Sequence, residues 1–325
     1  MIPFQTRLFG AVVALTVAAA APALSQQLEL KIMAPAAPGG GSDQTARSMQ
    51  QALVAARIAR SVQVTNVAGA GGSVGIAQFV NGAKGDGNQL MVNGFVMMGA
   101  LAMNKSPVTL DQVTPIARLT EEIQVIVVPA NSPIRTAQDL AAAVKADIAK
   151  VTFAGGSAGG VDHVMAALFA GAIGADAKKV NYIPFSGGGE SLAAILGGKV
   201  TAGISGLSEY EGQIKSGKLR ALAVSSPNRN ALIPEVPTMA EAGVEGVKVT
   251  TWYAVFAVKG TPKAIQDKMY EAIAKVLKDP DIKKVWDSQG ADLGGLPPAE
   301  FRKFVRQEIE TWGKVVKESG ARIDN

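Results

Sequence analysis

Four short runs of glycine, each carrying a hydroxyl or carboxyl side chain, are the residues of this chain best suited to chemistry. They are Pro38-Gly39-Gly40-Gly41-Ser42-Asp43, Gly69-Ala70-Gly71-Gly72-Ser73, Gly155-Gly156-Ser157-Ala158-Gly159-Gly160 and Ser186-Gly187-Gly188-Gly189-Glu190. Each follows a short apolar run and precedes a helix-like pattern. Such a turn leaves bare backbone N–H groups at a helix N-terminus, where unpaired donors and the helix dipole together favour a negative charge. The hydroxyls of Ser42, Ser73 and Ser157 add donors, each hydrogen bond to a charged group contributing about 1.5–3 kcal/mol. Two turns fall in each half of the chain, which suggests an anion held between two lobes.

Catalytic and cofactor chemistry fit these turns poorly. A phosphate-binding P-loop needs Lys then Ser or Thr after its glycines, and none of the four has them. Gly69-x-Gly71-Gly72-x-x-Gly75 approaches a dinucleotide fingerprint, but Asp86, which should end a strand and receive a ribose, sits in a Gly-Asp-Gly turn. A serine nucleophile at Ser157 would have to use the sole histidine, His163, which lies on the helix leaving the same turn and is better placed to support it. One histidine and no cysteine leave nothing to build a zinc site, and the carboxylates lack calcium-loop spacing. Binding without a cofactor, metal or reaction remains.

The elements that must position the turns alternate in type. Leu28 to Ala34 alternates as a strand, Ala46, Met49, Leu53 and Ala56 recur at helical spacing, and Val62 to Asn66 is the next strand. A helix through Ile76 to Val80 and a strand from Leu90 to Asn93 follow. A similar second half starts with strand Val125 to Val128, and continues with helix 137–144, strand 151–154, helix 161–169, strand 181–185, helix 191–196 and strands 200–204 and 219–224. This order predicts a mostly parallel α/β sheet in each half. Thr250 to Val258 reads as a long strand running from one half back to the other. Thr261 is placed to cap a helix with Pro262 at its first position, and a last helix from Pro298 to about Ser319 should bury Phe301, Phe304, Val305, Ile309 and Trp312.

Composition narrows the setting. Arg7, the apolar stretch Leu8 to Ala21 and the small residues before Gln26 predict a secretory signal peptide over residues 1–25, cleaved near Ser25 and Gln26. An exported chain without cysteine has no disulfide staple and must rely on sizeable cores. The net charge of +5 is mild and scattered, with no basic run interleaved with aromatics, so nucleic-acid binding is not expected. No later stretch reaches the length of a membrane span.

The chain from Leu30 onward resembles the substrate-binding proteins of tripartite tricarboxylate transporters, the Bug receptor family. The resemblance rests on Pro38-Gly39-Gly40-Gly41-Ser42-Asp43, Gly69-Ala70-Gly71-Gly72, the Asp86-Gly87 turn and Ala221-Leu222-Ala223-Val224-Ser225 with Arg229 after it. It continues through Val236-Pro237-Thr238-Met239-Ala240-Glu241-Ala242-Gly243 and Trp252-Tyr253-Ala254-Val255-Phe256. It implies a type II periplasmic binding fold, two α/β lobes with a ligand cleft between them: 26–125 plus 250–325 as lobe I and 126–249 as lobe II. It implies a monomeric extracytoplasmic receptor that captures a small organic carboxylate and delivers it, in the periplasm, to two integral-membrane subunits; a sensor feeding a signalling system is the alternative. First-lobe contacts carried over by position are Gly40, Gly41, Ser42, Asp43, Gly71, Gly72, Ser73 and Asn93; second-lobe contacts are Ser157, Ala158, Gly159, Gly160, Ser186, Gly187, Gly188, Ser205 and Gly206. Asp43 reads equally as a helix cap and as a group orienting water or a ligand hydroxyl.

The chain also departs from the commoner family pattern. Phe185-Ser186-Gly187 stands where many members have Tyr-Lys-Gly, and Thr201-Ala202-Gly203 where they have an aspartate after the strand. The missing acid argues against an amino-acid ligand. The fourth turn and Ser205-Gly206-Leu207-Ser208-Glu209 look more like the citrate and tricarballylate receptors, so citrate-like acids and C4-dicarboxylates are the expected ligands, with aromatic and amino acids as alternatives. Glu190 and Glu209 read equally as selective groups and as solvated rim residues.

Overall fold

In the structure, a computed structural model, residues 28–103, 108–186, 188–280, 283–284, 291–293 and 296–318 are described. The expected signal peptide with Ser25 and Gln26, Gly187 of the fourth turn and the Trp312 side chain lie outside them. Alternation sets the first strand: β1 (Leu28–Ala34) buries Leu30, Ile32 and Ala34 and turns Glu29 and Lys31 to solvent. After α1 (Gly41–Ala55), β2 (Ala59–Asn66), α2 (Ser73–Gly82) and β3 (Gln89–Gly94), β1 lies between β2 and β3 and parallel to both. Helix α1 buries Ala46, Met49, Ala52 and Leu53; Ala56, expected to complete that stripe, is the C-cap. α3 (Phe95–Met103) follows β3 directly, and its wholly apolar sequence has no amphipathic period by which to recognise it.

β4 (Val113–Pro129) is far longer than the strand expected at Val125 to Val128. Arg118, Glu121, Glu122 and Gln124 interrupt its apolar pattern, yet they are strand residues, and the three charged ones have side-chain hydrogen bonds. The second wing then runs α4 (Ala137–Ala146), β5 (Thr152–Gly155), α5 (Val161–Ala172), β6 (Asn181–Pro184), α6 (Gly188–Leu196), β7 (Ala202–Gly206), α7 (Leu207–Lys215) and β8 (Leu219–Val224). Here β5 lies between β6 and β7, parallel to both.

β9 (Thr250–Val258) pairs antiparallel with β3 and β4, giving the strand order β2-β1-β3-β9-β4-β7-β5-β6. Both wings are therefore parallel, as the sequence pattern predicts, but the centre is antiparallel. β4 pairs with β9 from Val113 to Ile123 and changes partner at Gln124, pairing from there with β7 and, from Val125, with β8. One strand thus belongs to both wings.

The C-terminal elements close the first wing. α8 (Lys263–Leu277) buries Met269, Ile273 and Val276 against the side of β1 on which α1 packs. Thr261 does not cap it: its hydroxyl donates to the Val258 carbonyl, and Pro262, at the N-cap and not inside the helix, accepts the Ile265 and Gln266 N–H groups. After β10 (Ala291–Leu293), antiparallel to β4, α9 (Pro298–Glu318) sets Phe301 and Phe304 edge-on to Trp252, at 5.9 and 5.4 Å. Ile309, expected in the buried stripe, is 42% exposed. At about 100° per residue it lies well round the helix from Phe301, and Glu308 faces the strand instead, accepting the Trp252 indole N–H at 2.8 Å.

Candidate functional site

The carboxyl ends of β1, β3, β5 and β7 and the starts of α1, α5, α6 and α7 converge on a cavity of about 60 Å3 between the wings. In open α/β sheets this is where strand ends and helix N-termini leave room for a ligand. All four glycine turns reach it, through Gly40, Gly41 and Ser42, through Gly71, through Ser157, and through Ser186 and Gly188; Asn93, Ser205 and Gly206 line it as well. Glycine is required where the backbone is crowded. A Cβ on Gly41 would lie 1.8 Å from the Tyr253 hydroxyl, and one on Gly188 only 1.3 Å from Oε2 of Glu209.

The other expected contacts sit just outside the cavity. Asp43 turns away: its carboxylate accepts the Gly39 N–H, the Arg47 guanidinium and the Asn66 amide, each at 2.9 Å. Burial pushes its acidity the other way, but these three partners win and hold it below the usual carboxylate range. It closes the first turn rather than facing the cavity. Gly72, at φ +93°, packs its α-carbon against the Asn93 amide nitrogen, and Ser73 begins α2. Ala158, Gly159 and Gly160 shape the third turn, where the Gly160 N–H donates to the Ser157 carbonyl at 2.9 Å. A Cβ on Gly99 of α3 would lie 2.1 Å from the Gly159 carbonyl, so here the wings touch backbone to backbone.

His163 fastens that turn. Its Nδ1 accepts the Gly159 N–H at 3.2 Å, and its ring stacks on Tyr182 with centroids 4.3 Å apart. Burial lowers its pKa to about 4, so it is neutral at pH 7. With Nδ1 so occupied, the imidazole supports the backbone of the turn.

Apart from Glu209, which the sequence left open between a selective group and a rim residue, the residues that sequence reasoning missed are chiefly acids and amides. Gln124, Asp162, Glu209 and Tyr253 line the cavity, and Glu122 stands behind Gly206. Glu209 is therefore not a solvated rim residue but part of the cavity wall. Asp162 accepts the Gly156 N–H at 2.7 Å, and Glu122 accepts the Ser208 N–H. Burial pushes Asp162 and Glu122 up to about 7; for Glu122 the neighbouring Asp162 adds to the effect. Glu209 is pushed up to about 8, by burial first and then by Asp162 and Glu122. No Lys, Arg or His side chain lines the cavity among the described residues, so positive potential comes from the helix N-termini alone. Two acids in the first turns of helices, Asp162 and Glu209, were the available signal.

Among the described residues, no group of His, Cys, Asp and Glu is arranged to hold a metal ion, and no helix is long and apolar enough to cross a membrane. Comparison with known proteins agrees with the geometry. Residues 45–321 match the family of tripartite tricarboxylate transporter receptors. The chain is 31% identical to protein BugT of Bordetella pertussis over 90% of each chain. It superposes on the periplasmic binding protein BugD with a TM-score of 0.83 at 26% identity, covering 90% of this chain and 98% of that one. It superposes on MatC from Rhodopseudomonas palustris, solved with bound malate, with a TM-score of 0.81 at 26% identity, covering 89% and 98%. The two wings, the shared strands and the cavity between them are those of a periplasmic solute-binding protein, and the chain belongs to the tripartite tricarboxylate transporter receptor family.

Proposed function

We propose that this receptor captures a small organic carboxylate, of the C4-dicarboxylate or citrate-like kind, and presents it to two integral-membrane subunits of a transporter, acting as an exported periplasmic monomer without chemistry on its ligand. The observation that carries the reading is the meeting of four helix N-termini, α1 from one wing and α5, α6 and α7 from the other, on one cavity. Apart from those of Gly41 and Ser208, which are taken by Glu209 and Glu122, the N–H groups at these termini, with the Ser42 and Ser157 hydroxyls, hold an anion without a cationic side chain. The malate in MatC is consistent with this class of ligand.

Residues 26–125 with 250–325, and residues 126–249, act as two lobes that close on the ligand, because contacts made from both lobes favour the shut form. The partner change of β4 at Gln124 lies beside the entry to β9 at Thr250, and this adjacency supports a pair of hinges at these two crossings. Calorimetric titration with citrate, malate, succinate and aromatic acids tests the reading: heat with one or more of the acids is expected, and no heat with any of them overturns it.

A further inference from the structure

Two acids, Asp162 and the half-buried Glu209, line the cavity with a third, Glu122, behind Gly206 and no cationic side chain among the described lining residues, an arrangement at odds with an anionic ligand unless a proton is supplied. Glu209 is the lining acid with a carboxyl oxygen left without a partner. It lines the cavity from the first turn of α7, the Ser205 hydroxyl and the Gly41 N–H act on it, and its Oε2 has no hydrogen-bond partner. That oxygen lies against the α-carbon of Gly188, between the starts of α6 and α1. Independent groups mark the same space as a ligand site. Gln124 is fully buried and lines the cavity, yet neither atom of its amide has a partner; Asn93, 3% exposed, lines it with an unpartnered amide nitrogen. Buried amides left unpaired are rare in folded proteins and imply a missing polar partner.

We propose that Glu209 engages the ligand as a neutral carboxylic acid, its O–H donating to an oxygen of the ligand carboxylate, so that capture above neutral pH brings one proton into the cavity from solvent. The proposal rests on the carboxylate reading and deepens it: the proton on Glu209 takes the part that an arginine or lysine plays in other anion sites. The Ser205 hydroxyl and the Gly41 N–H favour the carboxylate form of Glu209, but burial first, then Asp162 and Glu122, favour protonation and outweigh them; the tyrosines around it are neutral phenols. Asp162 comes from α5, Glu122 from β4, Tyr182 from β6 and Tyr253 from β9, and Tyr210 is its neighbour on α7. On α6 the charged group is Glu190, which accepts the Ser186 N–H, and on α1 Asp43 is taken up by Arg47. Its raised pKa of about 8 leaves Glu209 largely neutral at pH 7 and titrating just above it. A ligand carboxylate beside it favours the neutral form further.

The test is calorimetry with malate, succinate or citrate in two buffers of different ionisation enthalpy, which counts protons taken up on binding. The wild-type receptor is expected to take up close to one proton per ligand at pH 9, and to bind about tenfold more weakly at pH 9 than at pH 7. Glu209→Gln keeps the shape and a donor but cannot titrate, so it should bind without that uptake and with an affinity nearly level across this range. Wild-type binding with no proton uptake at pH 9 overturns the proposal, and uptake that persists in Glu209→Gln removes it from Glu209. Absence of heat with every acid at pH 6 is a different result, which overturns the carboxylate reading itself. Should the variant fail to fold, the wild-type proton count alone decides.

Discussion

Gln124 and Ser225 are joined twice: the Gln124 N–H donates to the Ser225 hydroxyl at 2.9 Å, and the Ser225 N–H donates to the Gln124 carbonyl at 2.9 Å. The same hydroxyl donates to the Val249 carbonyl at 2.5 Å. Ser225, 1% exposed, therefore ties the point where β4 changes partner to the residue just before β9 begins. Ser225→Ala leaves two buried backbone groups short of a partner, and should lower stability by about 1–3 kcal/mol in denaturant unfolding. A loss too small to measure would mean that the two crossovers hold together without it.

Gly41 and Tyr253 leave no room for a methyl group. Gly41→Ala forces the α1 turn and the tyrosine apart, an overpacking that costs about 1–3 kcal/mol. Because the turn is part of the cavity, affinity for the best-binding acid in calorimetry should fall at least as far as stability does. Affinity unchanged by the substitution would remove the first turn from the binding surface.

Ser157→Ala removes a hydroxyl from the cavity wall while leaving the turn closed through the His163 and Gly160 backbone contacts. Binding should weaken by about 1–3 kcal/mol with the melting temperature nearly unchanged. Equal affinity would show that the ligand does not touch this hydroxyl.

The pH dependence of stability should run opposite to the common pattern. Glu122, Asp162 and Glu209 have folded pKa values of about 7, 7 and 8, above their unfolded values, so the folded state holds more protons than the unfolded state across that interval. Their contribution is full in acid and is lost as pH rises through 7 and 8. His163 works the other way, losing stability as pH falls through the interval from 6.5 to about 4. The melting temperature of the ligand-free receptor should therefore fall between pH 6.5 and pH 8.5, and Glu209→Gln should flatten that fall. A melting temperature that rises over this range would contradict the burial of these acids.

Much of the architecture was legible because its signals are local. Glycine runs between apolar strands and helices mark tight turns wherever they occur, and all four turns reach the cavity. Asp162 was not legible, and Glu209 only as one of two equal readings, because both look in sequence like ordinary first-turn residues, favourable at any helix start. Only the convergence of α5, α7, β4 and β9 buries them together. The antiparallel centre escaped for a related reason: β4 carries charged residues that find partners across strands, such as Glu121, which accepts the Thr250 hydroxyl at 2.9 Å. Ile309 shows the reverse error, an apolar residue at helical spacing that falls at the margin of the packed face while Glu308 takes the inner place.

The bare contact between Gly99 and the Gly159 carbonyl is one place where the two wings have no spare room between them. A side chain at position 99 would act as a wedge whose size dictates the aperture, so alanine, valine and leucine there should hold the receptor progressively ajar. One position outside the cavity lining thus becomes a dial for a sensor or a trap, setting how readily the cleft shuts while leaving the residues that line the cavity unchanged.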